Sequence, residues 1–190
     1  RLGVEHVPLL VLTHFHADHV AGVPGVLDGR DVGSVLVSPL RDPPEQVSEV
    51  ARWTEELPVV EAAPGQRGSV GDATWRVLWP DPAPPSEGSP PNNASVVLLV
   101  EVGGVRMLLT GDVEPPAQAA LVASDRVPQV DLLKVPHHGS RFQDEQFLAA
   151  TGRALRPGVS SQTVDLLLPS QVYGERVNGL DMRFAKILRF

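Results

Sequence analysis

A cluster of histidine and aspartate side chains directly follows a short apolar run near the start of the chain. The apolar run covers residues 9–12 and is typical of a buried strand, so the cluster after it begins at a fixed strand end. Imidazole and carboxylate groups are ligands of divalent metals, and four of them so close together suit two ions better than one tetrahedral ion. The candidate metal ligands in this cluster are His14, His16, Asp18 and His19.

The composition predicts a single globular domain with a metal site built from nitrogen and oxygen ligands. The 190 residues are 42% apolar and 21% charged, which is ordinary for a folded domain. The chain contains no cysteine, which excludes disulfides and thiolate ligands and favours zinc, manganese or iron. A net charge of −7 argues against a broad nucleic-acid-binding face. No apolar run reaches the length of a membrane span, and no signal peptide is evident.

The pattern of apolar residues and turns predicts a mixed chain of the α/β (α+β) class. Glycines at positions 103 and 104 between two apolar runs are typical of a β-hairpin, and we expect an exposed proline-rich loop over residues 80–93. The expected strands cover residues 9–12, 34–37, 59–60, 74–79, 96–102, 105–109 and 130–135. The expected helices cover residues 20–27, 43–57 and 115–123. Because hairpins and crossovers are mixed, we expect two sheets sandwiched by helices.

Two further strand ends carry residues of the metal-ligand type. Asp112 follows Gly111 at the end of the hairpin's second strand, and His137 and His138 follow the next predicted strand. A carboxylate can bridge two ions, so Asp112 is a candidate bridging ligand. The alternatives are that Asp112 caps the helix after it and that the histidine pair is structural. His6 is expected to be an isolated loop residue.

Three motifs in this chain resemble a known family. They are the His-x-His-x-Asp-His cluster, Leu-Leu-Thr-Gly-Asp-Val-Glu over residues 108–114, and Leu-Lys-Val-Pro-His-His-Gly-Ser over residues 133–140. In this order they resemble the signature motifs of metallo-β-lactamase-fold hydrolases. The last two, and Asn-Asn-Ala-Ser over residues 92–95, are similar to those of ComEC-type DNA-internalisation (competence) proteins. The resemblance covers about residues 7–151.

The resemblance implies an αββα sandwich with a site for two divalent ions, zinc or manganese. In such a site His14, His16 and one of the two later histidines would hold the first ion. Asp18 and His19 would hold the second, with Asp112 between the ions. The implied metal ligands are therefore His14, His16, Asp18, His19, Asp112, His137 and His138. Asp18 and Asp112 would also take part in catalysis.

The resemblance also implies a substrate and a location. In the family this domain belongs to a polytopic membrane protein and acts at the extracytoplasmic face of the bacterial plasma membrane. It is thought to degrade the DNA strand that is not imported. DNA is therefore the expected substrate, and the membrane is expected to be reached through a parent domain outside this chain.

The chain departs from the family pattern at both ends. It lacks the initial strands and their Asp-Val-Gly-Gln-Gly-Asp motif, and no histidine follows His138, although family members carry a late Tyr-Gly-His-Pro segment. Glu175, after Tyr173 and Gly174, stands where that histidine is expected. We therefore expect a metallo-β-lactamase-like domain over residues 1–152, a divergent segment over 153–190 with a strand at 166–168, and a weaker second metal site.

Three functions are compatible with these residues. The leading hypothesis is a metal-dependent phosphodiesterase or nuclease acting on DNA during uptake, with Arg141 as either a phosphate contact or a solvated surface residue. The first alternative is hydrolysis of another ester, lactone or lactam on the same scaffold. The second is a metal-binding fragment with impaired catalysis.

Overall fold

The computed structural model describes residues 4–152 and 184–185. The strands in these ranges are β1 (His6–Val7), β2 (Leu10–Leu12), β3 (Asp31–Val32), β4 (Val35–Val37), β5 (Val59–Glu61), β6 (Arg67–Val70), β7 (Ala73–Trp79), β8 (Val97–Val102), β9 (Val105–Leu109), β10 (Leu132–Lys134) and β11 (Phe184–Ala185). The helices are α1 (Ala17–Val20), α2 (Val23–Leu27), α3 (Pro44–Trp53), α4 (Pro90–Asn93), α5 (Pro115–Ala123) and α6 (Glu145–Ala150). None of these described helices is long and apolar enough to cross a bilayer.

The strands form two main sheets and one short pair. The larger sheet has the order β11-β10-β9-β8-β7-β6, and its strands are antiparallel except for the parallel pair β9 and β10. The smaller sheet has the order β2-β4-β5 and is parallel, while β1 pairs with β3 alone. Since β9 and β10 run in the same direction, the loops that follow them leave at the same edge of the larger sheet.

Side-chain alternation along β8 gives the larger sheet two apolar faces. Val97 and Leu99 pack in a buried cluster with residues of α5 and α6, such as Leu121 and Phe147. Leu98, between them in the strand, points to the opposite face and packs in a second cluster. This period of two places one layer of helices outside the larger sheet.

The smaller sheet alternates in the same way and closes the sandwich. Val35 and Val37 of β4 pack against the helical side, in a cluster with Val50 of α3. Leu36 points the other way and joins Leu98 in the cluster between the two sheets. The order of layers is thus helix, sheet, sheet, helix, which confirms the predicted αββα sandwich.

The expectation of an exposed loop over residues 80–93 is wrong at its end. The last residues form α4, and Pro91, Asn92 and Asn93 are buried. The Asn93 side chain donates to the Glu87 carbonyl (2.6 Å) and accepts from the Glu114 backbone N–H (3.2 Å). The Trp79 indole donates to the Asn93 carbonyl (2.6 Å). These bonds satisfy polar groups that burial would otherwise leave unpaired.

Other sequence expectations differ from the structure in detail. The helix expected over residues 20–27 is two short helices, α1 and α2, separated at residues 21–22, and the helix expected over 43–57 ends at Trp53. His6 is not an isolated loop residue, because it lies in β1 and its Nδ1 is 2.8 Å from the Asp31 carboxylate. The strand expected at 166–168, Glu175 and most of the segment 153–190 lie outside the described residues.

Gly111, between β9 and Asp112, provides a test of how tightly the two sheets meet. Gly111 has φ +54°, and a Cβ there would lie 2.7 Å from Ser95 Cβ and 3.0 Å from Thr13 Cβ. Gly103 has nearly the same φ, +56°, but nothing lies within 4 Å of its Cβ position. We expect Gly103→Ala to lower the free energy of unfolding by about 1 kcal/mol through backbone strain. Gly111→Ala should cost roughly 1–3 kcal/mol more because it adds a clash.

Urea denaturation of both variants in the presence of a chelator, followed by circular dichroism, measures this difference. Gly103→Ala is the control for left-handed backbone strain. Equal losses of stability in the two variants would show that the approach of the Thr13 and Ser95 segments to Gly111 is not tight.

Candidate metal centre

Four side chains from three segments of the chain meet at one edge of the sandwich. Asp18, His19, Asp112 and His138 each offer a ligand atom, and these atoms all lie within 4.8 Å of one another. Asp112 Oδ2 is 3.0 Å from His19 Nε2 and 3.0 Å from His138 Nε2. Asp18 Oδ2 is 3.2 Å from His138 Nε2. His138 Nε2 is also 3.2 Å from His19 Nε2. Asp112 is the most buried member of the group, with a side chain 3% exposed.

His14 and His16 adjoin this group on one side. His14 Nε2 lies 3.1 Å from His16 Nδ1, and the His14 ring centroid is 4.1 Å from that of His19. His14 is fully buried, whereas His16 is partly exposed. The six side chains thus form a continuous cluster, and how they would be divided between two ions remains a prediction.

The local backbone explains how a single short segment supplies four of these side chains. β2 ends at Leu12, and residues 13–16 continue in a non-helical loop before α1 begins at Ala17. Asp18 and His19 are successive residues of α1, whose first turn leaves backbone N–H groups unpaired by the helix. The buried Val20 on the same helix packs in the cluster beneath it and holds the helix against the smaller sheet.

The two histidines after β10 have different neighbours. His137 and His138 both have positive φ values, +51° and +52°. This conformation directs His138 into the group, while the His137 ring centroid lies 6.1 Å from that of His138. His137 Nδ1 is instead 3.8 Å from Glu114 Oε1. The structure brings His138, and not His137, together with Asp18, His19 and Asp112.

Two hydroxyl groups that the sequence did not single out as site residues support the histidine rings. Thr13 Oγ1 lies 3.2 Å from His14 Nδ1 and 3.4 Å from His19 Nδ1. Ser95 Oγ also lies 3.2 Å from His14 Nδ1 and accepts a hydrogen bond from the Asp112 N–H (3.1 Å). A hydroxyl that accepts a hydrogen bond from Nδ1–H fixes the tautomer in which Nε2 is free as a ligand. The similarity of residues 92–95 to the family was the available signal for Ser95.

Asp112 is a buried carboxylate with compensating partners. Burial by itself would raise the pKa of Asp112, but the hydrogen bond from His19 and the nearby charges of His19 and Lys134 hold that pKa well below its usual range. Lys134 Nζ donates to Asp112 Oδ1 at 3.3 Å. Burial lowers the pKa of Lys134, and the charge of Asp112 opposes that effect. The alternative role of Asp112 as a helix cap is wrong, because the N-cap of α5 is Glu114.

His14 is held neutral by its surroundings. Burial is the main reason that the pKa of His14 falls from 6.5 to about 3, and the neighbouring His19 lowers it further against the opposing effect of Asp112. A neutral imidazole is the form that binds a metal ion. His14 is therefore in its ligand form at neutral pH without any further change.

The donor set fits divalent ions. Two pairs of ring nitrogens face each other, His14 with His16 at 3.1 Å and His19 with His138 at 3.2 Å. Two nitrogen lone pairs at such a separation repel unless a proton or a cation lies between them. Carboxylates of Asp18 and Asp112 at the same place add the negative charge that a cation requires. This combination of imidazole and carboxylate suits zinc or manganese.

Arg141 lies at the surface beside Phe142. Its guanidinium carbon lies 4.7 Å from the centroid of the Phe142 ring, and both residues are exposed. Phe142 is 64% exposed, which is high for a large apolar side chain. A role of Arg141 in binding phosphate remains a prediction.

The low pKa of His14 predicts how the stability of the metal-free protein depends on pH. In the unfolded chain His14 takes up a proton below pH 6.5, whereas in the folded protein it resists protonation down to about pH 3. Its contribution to stability is therefore complete above pH 6.5 and is lost as the pH falls from 6.5 towards 3. We expect His14 to add up to about 1.4 kcal/mol per pH unit to the slope in this window.

Chemical denaturation at several pH values with a chelator present measures this slope. His14→Gln should flatten the slope, since glutamine does not titrate. His6→Gln, at an exposed histidine outside the cluster, is the control, and His14→Gln should flatten the slope more than this control does. An equal slope in His14→Gln and the wild type would contradict the buried, neutral state of His14.

Comparison with known proteins gives the same family as the motifs. Residues 1–149 match the family model of the metallo-beta-lactamase superfamily. The chain is 31% identical over 144 residues to ComE operon protein 3 of Bacillus subtilis (strain 168), a match that covers 73% of this chain and 18% of that protein. It is 30% identical over 132 residues to the uncharacterized protein YcaI of Escherichia coli (strain K12), covering 69% of this chain and 15% of that protein.

A solved structure of a metallo-beta-lactamase from Cronobacter sakazakii, a mutant of its HARLDQ motif, is similar with a TM-score of 0.44 and 18% identity. The match covers 77% of this chain and 62% of the Cronobacter sakazakii chain. This chain spans less than a fifth of the length of the two curated relatives. The match of the family model extends over more than three quarters of the sequence and includes every candidate ligand named above. The chain therefore belongs to the metallo-beta-lactamase superfamily.

Proposed function

We propose that this domain is a metal-dependent hydrolase that cleaves phosphodiester bonds in DNA. The observation that carries the proposal is the convergence of Asp18, His19, Asp112 and His138, whose ligand atoms lie within 4.8 Å of one another. Divalent ions bound in such a site supply Lewis-acid catalysis of hydrolysis. Membership of the metallo-beta-lactamase superfamily supports a hydrolase that depends on metal.

Two ions, zinc or manganese, are the proposed cofactors. The imidazoles of His14, His16, His19 and His138 and the carboxylates of Asp18 and Asp112 are the proposed ligands. Asp112 is the inner carboxylate, with a side chain 3% exposed, and Asp18 is the outer one, 64% exposed. Asp18 therefore lies on the side from which a substrate arrives, and we assign it the second role of orienting the reacting groups.

DNA is the proposed substrate because of the likeness to competence proteins. The motifs over residues 108–114 and 133–140 resemble those of ComEC-type DNA-internalisation proteins, and ComE operon protein 3 is among the curated relatives. With a net charge of −7, affinity for DNA would depend on cations at the site rather than on a broad basic face. By the same likeness, we place the domain in a longer membrane protein, at the extracytoplasmic face of the bacterial plasma membrane.

Other hydrolases of this fold share the same ligands, so the substrate requires a direct test. The 190-residue chain, loaded with zinc or manganese, is assayed on single-stranded DNA and bis(p-nitrophenyl) phosphate, and in parallel on ester, lactone and β-lactam substrates. Hydrolysis of the phosphodiesters supports the proposal. Hydrolysis of an ester, lactone or lactam alone overturns it, and metal binding without any hydrolysis indicates a catalytically impaired domain.

The buried position of Asp112, in contact with both His19 and His138, predicts unequal effects of two substitutions. Asp112→Asn keeps the shape of the side chain but removes the buried negative charge of the group. His138→Ala removes one imidazole at its 37% exposed outer side. We expect Asp112→Asn to abolish metal-dependent phosphodiester hydrolysis and His138→Ala to leave measurable residual activity. The reason is that Asp112 is the proposed bridging ligand of both ions, whereas one imidazole would hold only one ion.

Initial rates on bis(p-nitrophenyl) phosphate at saturating metal measure the two variants. Asp31→Asn is the matched control, because it neutralises an exposed aspartate that pairs with His6 and not with the site, and it should retain wild-type activity. Equal residual activity of Asp112→Asn and His138→Ala would contradict the bridging role of Asp112.

The absence of any histidine after His138 predicts two ions of unequal affinity. A site that lacks a ligand binds its ion more weakly, and the ligands that remain are then less well neutralised. Isothermal titration of zinc or manganese into the metal-free chain should show one tight and one weaker step. Two tight steps of similar affinity would show that the second site does not need the missing histidine.

A further inference from the structure

A partly buried lysine lies directly against the inner carboxylate of the site. The Lys134 side chain is 15% exposed, and its ammonium donates to the Gly111 carbonyl at 2.7 Å and to Asp112 Oδ1 at 3.3 Å. A lysine ammonium next to a proposed metal-binding carboxylate competes with the metal ions for that carboxylate. Neutralising Asp112 does not by itself explain the position of Lys134, because bound metal ions would neutralise the same charge.

The two oxygens of Asp112 have different surroundings. Oδ2 is 3.0 Å from His19 Nε2 and 3.0 Å from His138 Nε2, so the other ligand atoms gather around it. Oδ1 faces Lys134. Oδ2 of Asp112 thus faces the imidazoles of the cluster, and Oδ1 faces the ammonium of Lys134.

Backbone contacts keep Lys134 in this position. Lys134 ends β10 and pairs with Leu109 of the neighbouring β9, and the Thr110 hydroxyl donates to the Lys134 carbonyl at 2.7 Å. The Gly111 carbonyl that accepts from Lys134 also accepts from the His137 N–H at 3.3 Å. The ammonium therefore lies between two loops that hold each other, and swinging it away would leave a buried charge without partners.

We propose that Lys134 is a positioning residue that sets the metal preference of the site by occupying Oδ1 of Asp112. This inference rests on the proposed metal site. Asp112 then offers a single oxygen, and the site stays rich in imidazole nitrogen relative to carboxylate oxygen. Imidazole suits zinc, whereas additional carboxylate oxygens suit manganese, so Lys134 favours zinc over manganese.

The test compares the dissociation constants of zinc and manganese for the metal-free 190-residue chain and its variants. In Lys134→Met, Oδ1 becomes available, and the ratio of the manganese constant to the zinc constant should fall by about tenfold. Lys134→Arg keeps a charged donor at this position and should retain the ratio within about twofold. A purely structural loss, or a change of net charge, alters both affinities in the same direction and leaves the ratio unchanged.

Arg126→Met is the matched control. Arg126 is a partly buried cation that pairs with Asp81 and not with the site, so its removal lowers the net charge equally. The ratio should stay at the wild-type value in this variant. An unchanged ratio in Lys134→Met, or an equal fall in Arg126→Met, would overturn the assignment of Lys134.

A crystal structure of the zinc-loaded wild type tests the proposal without any variant. We expect Lys134 to remain on Oδ1 and Oδ2 alone to lie at bonding distance from metal, about 2.0–2.2 Å. Both oxygens bound to metal, or Lys134 displaced, would overturn the proposal. A wild-type chain that binds neither metal would overturn the metal site and this inference together, whereas zinc binding with an unchanged ratio in Lys134→Met overturns this inference alone.

Discussion

Contacts of the Ser95 hydroxyl connect the two sheets at the site. It accepts from the backbone of Asp112, which follows β9 of the larger sheet, and it contacts His14, which follows β2 of the smaller sheet. Next to it, the Val96 N–H donates to the Thr13 carbonyl at 2.8 Å. The loops after β2 and β9 are therefore fixed to the two residues just before β8, so the spacing of the proposed ligands is set by the packing of the sandwich.

Much of this arrangement could be predicted from the sequence because the chemistry lies in short contiguous segments. The cluster over residues 14–19 follows an apolar strand, and each of two later strands is followed by Asp112 or by the histidine pair. The mixture of hairpins and crossovers predicts two sheets, and the layer order follows because the outer face of each sheet must be covered by helices. These patterns alone do not identify the fold family, whereas the order of the three motifs along the chain does.

What could not be predicted depends on contacts between distant residues. The choice of His138 over His137 depends on two successive left-handed backbone conformations, which spacing along the chain does not specify. The burial of Asn93 depends on partners at Trp79, Glu87 and Glu114 that a proline-rich stretch does not reveal. The sequence predicts Lys134 only as part of a strand. Nothing in it shows that Lys134 pairs with Leu109, three residues before Asp112, in the neighbouring strand.

The exposed fraction of the proposed ligands increases from the core to the solvent, and this difference separates their physical roles. The side chain of Asp112 is 3% exposed and that of His19 9%, while those of His138 and Asp18 are 37% and 64% exposed. A buried carboxylate is tolerated only when its charge is compensated. The charge balance at Asp112 would therefore change when metal ions bind. At the exposed end, the Asp18 carboxylate has little burial to compensate. If the proposed function holds, metal bound at the inner residues would contribute to folding stability, whereas the outer residues could move during the reaction while the core stays intact.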